Sequence, residues 1–214
     1  MWPRPELWHS GHRKNGGGKE MSSLLASTLN TRALPVGNLR YIRSDCPTEL
    51  TDEEVRWLKD NGITTAVDLR EEKEILRKPC RLETEEGFHY FRMPVTGGGD
   101  TPKSREHLAQ VYATMLDEQM DRIIQTLETA ESNTIYFCAA GKDRTGVVSA
   151  VLLYRMGYGD EVIVRDYMES GDNLKDMLED YLKTHTEVKR EIIVPCPENI
   201  LNILEILKRR IPRK

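Results

Sequence analysis

The chain has 214 residues, enough for one domain with a proper core. Its 31 Lys and Arg against 35 Asp and Glu leave a formal net charge of −4, a balance that argues against a broad basic nucleic-acid surface. Charged residues make up 31 % and hydrophobic residues 38 %, with no run near the ~20 apolar residues of a membrane span, so stable membrane insertion is not expected. The four cysteines, Cys46, Cys80, Cys138 and Cys196, are scattered, without a CxxC pair or Cys/His cluster. That excludes a disulfide-dense scaffold and a structural zinc site, and points to free thiols in a reducing cytoplasm.

Residues 1–21 differ from the rest. They hold Trp2, Trp8, His9, His12 and the run Gly16-Gly17-Gly18, without helical or strand period. They read as a disordered or non-native extension, with Met21 a candidate true start and residues 22–214 forming the working domain.

The first helix signal is Thr51-Asp52-Glu53-Glu54, a capping box with Val55 and Leu58 following on one face and Gly62 closing the helix. Ile63 to Leu69 is β-branched and apolar, as in a buried parallel strand. A short helix from Glu71 to about Arg77 is stopped by Pro79, and Phe88 to Val95 reads as a second strand. The breaker cluster 96–102 predicts a loop. Leu108, Val111, Tyr112, Met115, Leu116, Ile123, Ile124 and Leu127 then predict one long helix of about six turns. Thr134 to Phe137 is a third strand. Gly146 to Met156, apolar nearly all round, predicts a buried central helix ended by Gly157. Two further helices are striped by Leu174, Met177, Leu178, Tyr181 and Leu182, and by Ile200, Ile203, Leu204, Leu207 and Ile211, with Pro197 near the start of the last. The alternation predicts an α/β layer fold around a small, mostly parallel sheet flanked by helices.

The chemistry concentrates in Ile135–Gly146, IYFCAAGKDRTG, between a buried strand and an apolar helix. Ligand loops of α/β proteins form at such turns, and the free N–H groups and macrodipole of the helix start favour an anion. Cys138 ends the strand and Arg144 starts the helix, so the backbone between them can curl into a nest of amides for phosphate oxygens. Ala139, Ala140 and Gly141 lie in that curl, and Gly141 supplies its backbone freedom. Arg144 offers a planar fork for phosphate. The positive surroundings should favour a thiolate at Cys138, a nucleophile. Thr145 is placed to hydrogen-bond the sulfur, and Gly146 lets the helix start pack closely. A nucleotide-binding P-loop does not fit, because Asp143 follows Gly141-Lys142 where Ser or Thr is required.

This loop resembles the signature of the cysteine-dependent phosphatases, and more closely the C-x-x-G-K-D-R-T-G loop of the bacterial tyrosine-phosphatase-like family. Tyr41-Ile42-Arg43-Ser44 resembles that family's Y-x-R-S, and Asp68-Leu69-Arg70 with Glu74 its D-L-R-x-x-x-E. The chain departs from the pattern at Phe137, where the family usually carries His, and in its Asn30-Thr31-Arg32-Ala33-Leu34-Pro35 opening.

The resemblance implies a tyrosine-phosphatase-like fold and phosphomonoester hydrolysis with Cys138 as nucleophile and Arg144 as phosphate clamp, without metal or organic cofactor. It makes Asp143 the general acid, with Asp100 in the glycine-rich loop as the alternative. Lys142 is either a second cation facing the substrate or a solvated loop charge. Implied partners are phosphotyrosine proteins, with phosphoserine/threonine and phosphoinositides as alternatives, and no nucleic acid. The chain is expected to act as a monomer. Phe137 keeps open the rival of a phosphate-binding pseudophosphatase. Arg70, Asp68, Glu74 and Arg43 are expected to form ion networks near the site. Cys46 or Cys80 either reaches Cys138 for a protective disulfide or is a plain buried thiol. The basic run from Lys208 to Lys214 reads as a solvated tail.

Overall fold

The computed structural model describes residues 23–98 and 102–211. The N-terminal extension expected over 1–21, Asp100 and the last three residues lie outside the described residues.

Five strands form one sheet in the order β1-β2-β5-β3-β4. They are β1 (Arg32–Ala33), β2 (Tyr41–Ser44), β3 (Ile63–Asp68), β4 (His89–Arg92) and β5 (Asn133–Phe137). Only β1 runs antiparallel, pairing Arg32 with Arg43; β2, β5, β3 and β4 are mutually parallel. The chain is therefore the α/β fold with a small, mostly parallel, helix-flanked sheet that the sequence predicted.

Alternation along the central strands builds two cores. Ile42, Ile63, Ala66, Ile135 and Phe137 face one side, where helix α1 (Asp52–Asp60) adds Val55 and Leu58. Tyr41, Val67 and Tyr136 face the other. There they meet helices α3 (Arg105–Thr114), α4 (Glu118–Thr129), α5 (Asp143–Arg155), α6 (Asp160–Asn173) and α9 (Pro197–Arg210). Helix α5 is the centre of the larger core: every residue from Asp143 to Tyr154 is buried. A third cluster packs Leu178 and Tyr181 of α7 (Lys175–Thr184) and Ile193 of α8 (Arg190–Ile193) onto Ala140.

The capping box at Thr51 forms as predicted: Glu54 N donates to Thr51 Oγ1 at 3.2 Å, and Thr51 N to Glu54 Oε2 at 2.8 Å. Helix α2 (Glu72–Arg77) also follows the prediction. Four expectations need correction. The long six-turn helix is two, α3 and α4, because Asp117 caps a new start by accepting from Met120 N at 3.0 Å. The strand expected over Phe88–Val95 pairs only over His89–Arg92. The central helix begins at Asp143, not Gly146, so part of the phosphate-loop motif is helical. Two helices expected after it are four, α6 through α9, and α6 carries Asp166, Tyr167 and Ser170, all buried. The described part of the terminal basic run is exposed, as expected of a solvated segment, but helical. Lys208 to Arg210 lie within α9, where Lys208 Nζ pairs with Asp160 at 2.7 Å and Arg210 donates to the Leu116 carbonyl at 2.5 Å.

Candidate active site

Parallel pairing of β5 between β2 and β3 fixes where the loop emerges. Cys138 follows β5 directly and is 3 % exposed; α5 begins at Asp143. The chain must turn sharply between them, and Gly141 does so at φ 65°. A Cβ there would sit 2.4 Å from Ser44 O and 2.6 Å from Asp45 N, so only glycine lets the loop rest on the end of β2.

The loop carbonyls are tied from behind. Ala139 O accepts from Cys46 N at 3.2 Å. Asn30 Nδ2 donates to Ala140 O and Gly141 O, both at 3.1 Å, and Arg43 NH2 donates to Gly141 O at 2.8 Å. With these carbonyls held outward, the amides of Ala139, Ala140 and Gly141 donate to none of the described residues. Three consecutive free N–H groups beside the N-terminus of a 13-residue helix form an anion-binding concavity.

The scaffold behind the loop is a buried ion network. Arg43 is fully buried and pairs with Asp166 through NH1. Arg32 reaches Asp166 O at 2.7 Å and Ser170 Oγ at 3.0 Å, and burial, followed by the Arg43 charge, lowers its pKa to about 10. Asp45, pushed upward by burial, accepts from Asn30 N at 2.9 Å and so fixes the residue that holds the loop. Arg43 was expected in such a network. Asn30 appeared only within a motif, and Asp45, Asp166 and Ser170 were not foreseen; a buried acid in an otherwise acidic helix carries little signal in the sequence.

Arg144 is 3 % exposed and forms a two-pronged pair with Glu74, NH1 to Oε2 at 2.6 Å and NH2 to Oε1 at 2.8 Å. The pair uses two of five guanidinium N–H donors. Burial pushes the Glu74 carboxyl up, but the hydrogen bond and charge of Arg144 outweigh it and hold it below the usual carboxylate range. Gly98 covers the stem of Arg144: a Cβ there would lie 2.3 Å from Arg144 Cδ.

Lys142 is buried rather than a solvated loop charge. Its Nζ donates to Asp143 Oδ1 at 3.0 Å and to Ile193 O at 2.8 Å, joining the loop to α8. Asp143, 3 % exposed, also accepts at Oδ1 from the Tyr112 hydroxyl. Thr145 is fully buried, and its Oγ1 has no hydrogen-bond partner among the described residues, the Cys138 sulfur included. Gly146 is needed for packing as expected: its Cβ would lie 2.9 Å from the Tyr167 ring. Asp68, Arg70 and Glu74 do lie near the loop, but as two units. Arg70 NH2 pairs with Asp68 at 2.7 Å, whereas Glu74 holds Arg144.

Phe137, the departure from the family pattern, is fully buried. Its ring lies 5.8 Å from the Arg70 guanidinium and 6.4 Å from the Tyr90 ring, and Tyr90 Oη donates to Asp68 Oδ2 at 2.6 Å. An aromatic and ionic clamp therefore stands beside the residue before Cys138. Cys80 Sγ donates to Pro47 O at 3.5 Å, and burial raises the Cys46 thiol well above its ordinary range. All four cysteines are free thiols. Among the described residues no His, Cys, Asp or Glu group is assembled to hold a metal, and no helix is long and apolar enough to cross a membrane.

The fold thus sets free amides, a buried Cys and a buried Arg around one strand-to-helix loop of an α/β protein. The tyrosine phosphatase family model matches residues 27–210, and the chain belongs to that family. It is 26 % identical over 159 residues to a tyrosine-protein phosphatase of Nostoc commune, covering 70 % of this chain and 54 % of that one. It is 29 % identical over 175 residues to the triple specificity protein phosphatase PtpB of Mycobacterium tuberculosis, covering 64 % of this chain and 63 % of that one. The chain thus spans less than two thirds of the length of either relative. Among solved structures it resembles Pseudomonas aeruginosa TpbA with a TM-score of 0.40 and 13 % identity, over 78 % of this chain and 88 % of that one.

Proposed function

We propose that this chain hydrolyses phosphomonoesters through Cys138, with protein phosphotyrosine as the leading substrate. The observation that carries the reading is the row of outward-tied carbonyls and free amides from Ala139 to Gly141, set between Cys138 and Arg144.

In the first step the Cys138 thiolate attacks phosphorus in line with the ester oxygen. A P–S bond forms, the P–O bond to the leaving group breaks, and Asp143 gives that oxygen its proton. The loop amides, Arg144 and the positive charge of Lys142 stabilise the equatorial oxygens. Water then attacks phosphorus, Asp143 takes its proton, the P–S bond breaks, and phosphate leaves. Asp143 is preferred to Asp100 as the acid because its carboxylate is fixed at the start of α5 by Tyr112 and Lys142. Phosphoserine/threonine and phosphoinositides are the alternative substrates, and the Mycobacterium relative is itself named a triple specificity protein phosphatase.

An aryl-phosphate assay between pH 5 and 8 tests the reading. Wild type should release phosphate and Cys138→Ser should not, while both bind inorganic phosphate. Equal release by the two proteins would overturn it. Phosphate binding without turnover by wild type would instead establish the pseudophosphatase that Phe137 suggests.

A further inference from the structure

Asp143 is the end of a buried hydrogen-bonded chain whose other members come from three helices far apart in sequence. Tyr112 of α3 is fully buried and donates to Asp143 Oδ1. Tyr112 Oη lies 3.0 Å from Tyr167 Oη of α6, which is 1 % exposed. Asn199 Nδ2 of α9 donates to Tyr167 Oη at 3.2 Å, and Cys196 Sγ donates to Asn199 Oδ1 at 3.1 Å. The two rings meet edge to face at 6.5 Å and 85°, which fixes both hydroxyls.

The direction of every proton follows. A phenol has one hydrogen. Tyr112 spends its hydrogen on Asp143, so Tyr167 must donate to Tyr112, and Asn199 donates to Tyr167. Each N–H or O–H in the row points toward Asp143 Oδ1, and successive bonds of one direction reinforce each other. Burial first, then the Asp143 charge, raises both tyrosines well above the ordinary phenol range, so both stay protonated as donors. Among the described residues only Oδ1 of Asp143 is hydrogen-bonded, which leaves Oδ2 to carry the transferable proton.

We propose that Tyr112, backed by Tyr167 and Asn199, is the positioning residue that presents Asp143 Oδ2 to the leaving group and steadies the carboxylate left after proton transfer. This rests on the reading of Asp143 as the general acid. The covalent chemistry is unchanged: the proton leaves Oδ2 for the ester oxygen, and no proton moves along the chain. The other charges facing Asp143 are Lys142, bonded to the same Oδ1, and Arg144 one residue on.

The test compares wild type, Tyr112→Phe, Tyr167→Phe, Asp143→Asn and the Tyr112→Phe/Asp143→Asn double variant. Phenyl phosphate serves as the poor leaving group and p-nitrophenyl phosphate as the good one. Losing one hydrogen bond to a charged group should lower kcat of Tyr112→Phe on phenyl phosphate roughly ten- to a hundredfold. The loss on p-nitrophenyl phosphate should be much smaller, because that leaving group needs little protonation. Without the donor the carboxylate is less stabilised, so the alkaline limb of the kcat profile should move to higher pH. Inhibition by inorganic phosphate should be unchanged, which a general loosening of the site would not allow. Tyr167→Phe should move the same way by less, and the double variant should be no slower than Asp143→Asn. A Tyr112→Phe loss equal on both substrates, with an unmoved limb, would overturn the proposal. If Asp143→Asn discriminates between the leaving groups and Tyr112→Phe does not, the acid assignment stands and only this proposal falls. If Asp143→Asn itself does not discriminate, the acid assignment falls, and the proposal with it.

Discussion

Gly141 carries the sharpest constraint in the loop, because two demands meet there. Its φ of 65° disfavours any L side chain, and the backbone of Ser44 and Asp45 leaves no volume for a Cβ. Gly141→Ala should therefore destabilise the fold by about 3 kcal/mol, lowering Tm by roughly 6–12 °C for a domain of this size. A melt within about 2 °C of wild type, measured by calorimetry, would show that the loop does not rest on β2 as described; that threshold is the low end of a 1 kcal/mol effect. At this scale the sequence was informative where chemistry restricts residue type: the CAAGKDRTG run singled out Cys138, Gly141, Asp143 and Arg144, which the fold gathers at one strand-to-helix turn. It was silent where a side chain works through its partners. Asn30 holds two loop carbonyls and Tyr112 holds Asp143, yet an Asn near the start of the domain and a Tyr within an apolar stripe look ordinary until the fold brings them together.

Between elements, Glu74 and Arg144 form the clasp that joins α2 to α5. The Glu74 carboxyl is held below its ordinary range in the folded chain. The sign follows: the stability it lends is complete above the unfolded glutamate pKa of roughly 4.3 and is lost as pH falls through the lower folded value. Glu74→Gln leaves a buried guanidinium without its counter-charge, a cost of about 2–3 kcal/mol at neutral pH after allowance for the part-exposed carboxylate. Thermal melts should show a gap between variant and wild type at pH 7 that narrows below about pH 4. A gap constant across pH 3–8 would contradict it. Element boundaries show why part of the fold was hidden. The apolar stripe continues in phase from α3 into α4, so only Asp117 betrays the break. Helix α6 escaped notice because its buried face includes Asp166 and Ser170 beside Ile163 and Tyr167, which blunts the hydrophobic period. Strand β2 is buried along all four residues, Arg43 and Ser44 included, and shows neither alternation nor an apolar run.

Across the whole molecule, sheet and helices have one joint consequence, which is to present a strand end, a tight loop and a helix start with carbonyls turned back and amides free. The layer architecture and its mostly parallel sheet were legible from alternating apolar strands and amphipathic helices, because those patterns depend on burial alone. The networks that hold the loop were not, since they join residues 30, 43, 45, 166 and 170 through contacts that only the folded topology creates. The net charge of −4 says nothing of this, because it sums the whole chain while the loop is set by a few local ion pairs. The central claim is that Cys138 carries phosphate during turnover. Acid-quenching the reaction with p-nitrophenyl phosphate, digesting the protein and weighing the peptides by mass spectrometry tests it directly. The account predicts a phosphate adduct on the peptide containing Cys138, enriched in Asp143→Asn and absent from Cys138→Ser. An adduct on another residue, or turnover by Cys138→Ser, would contradict it.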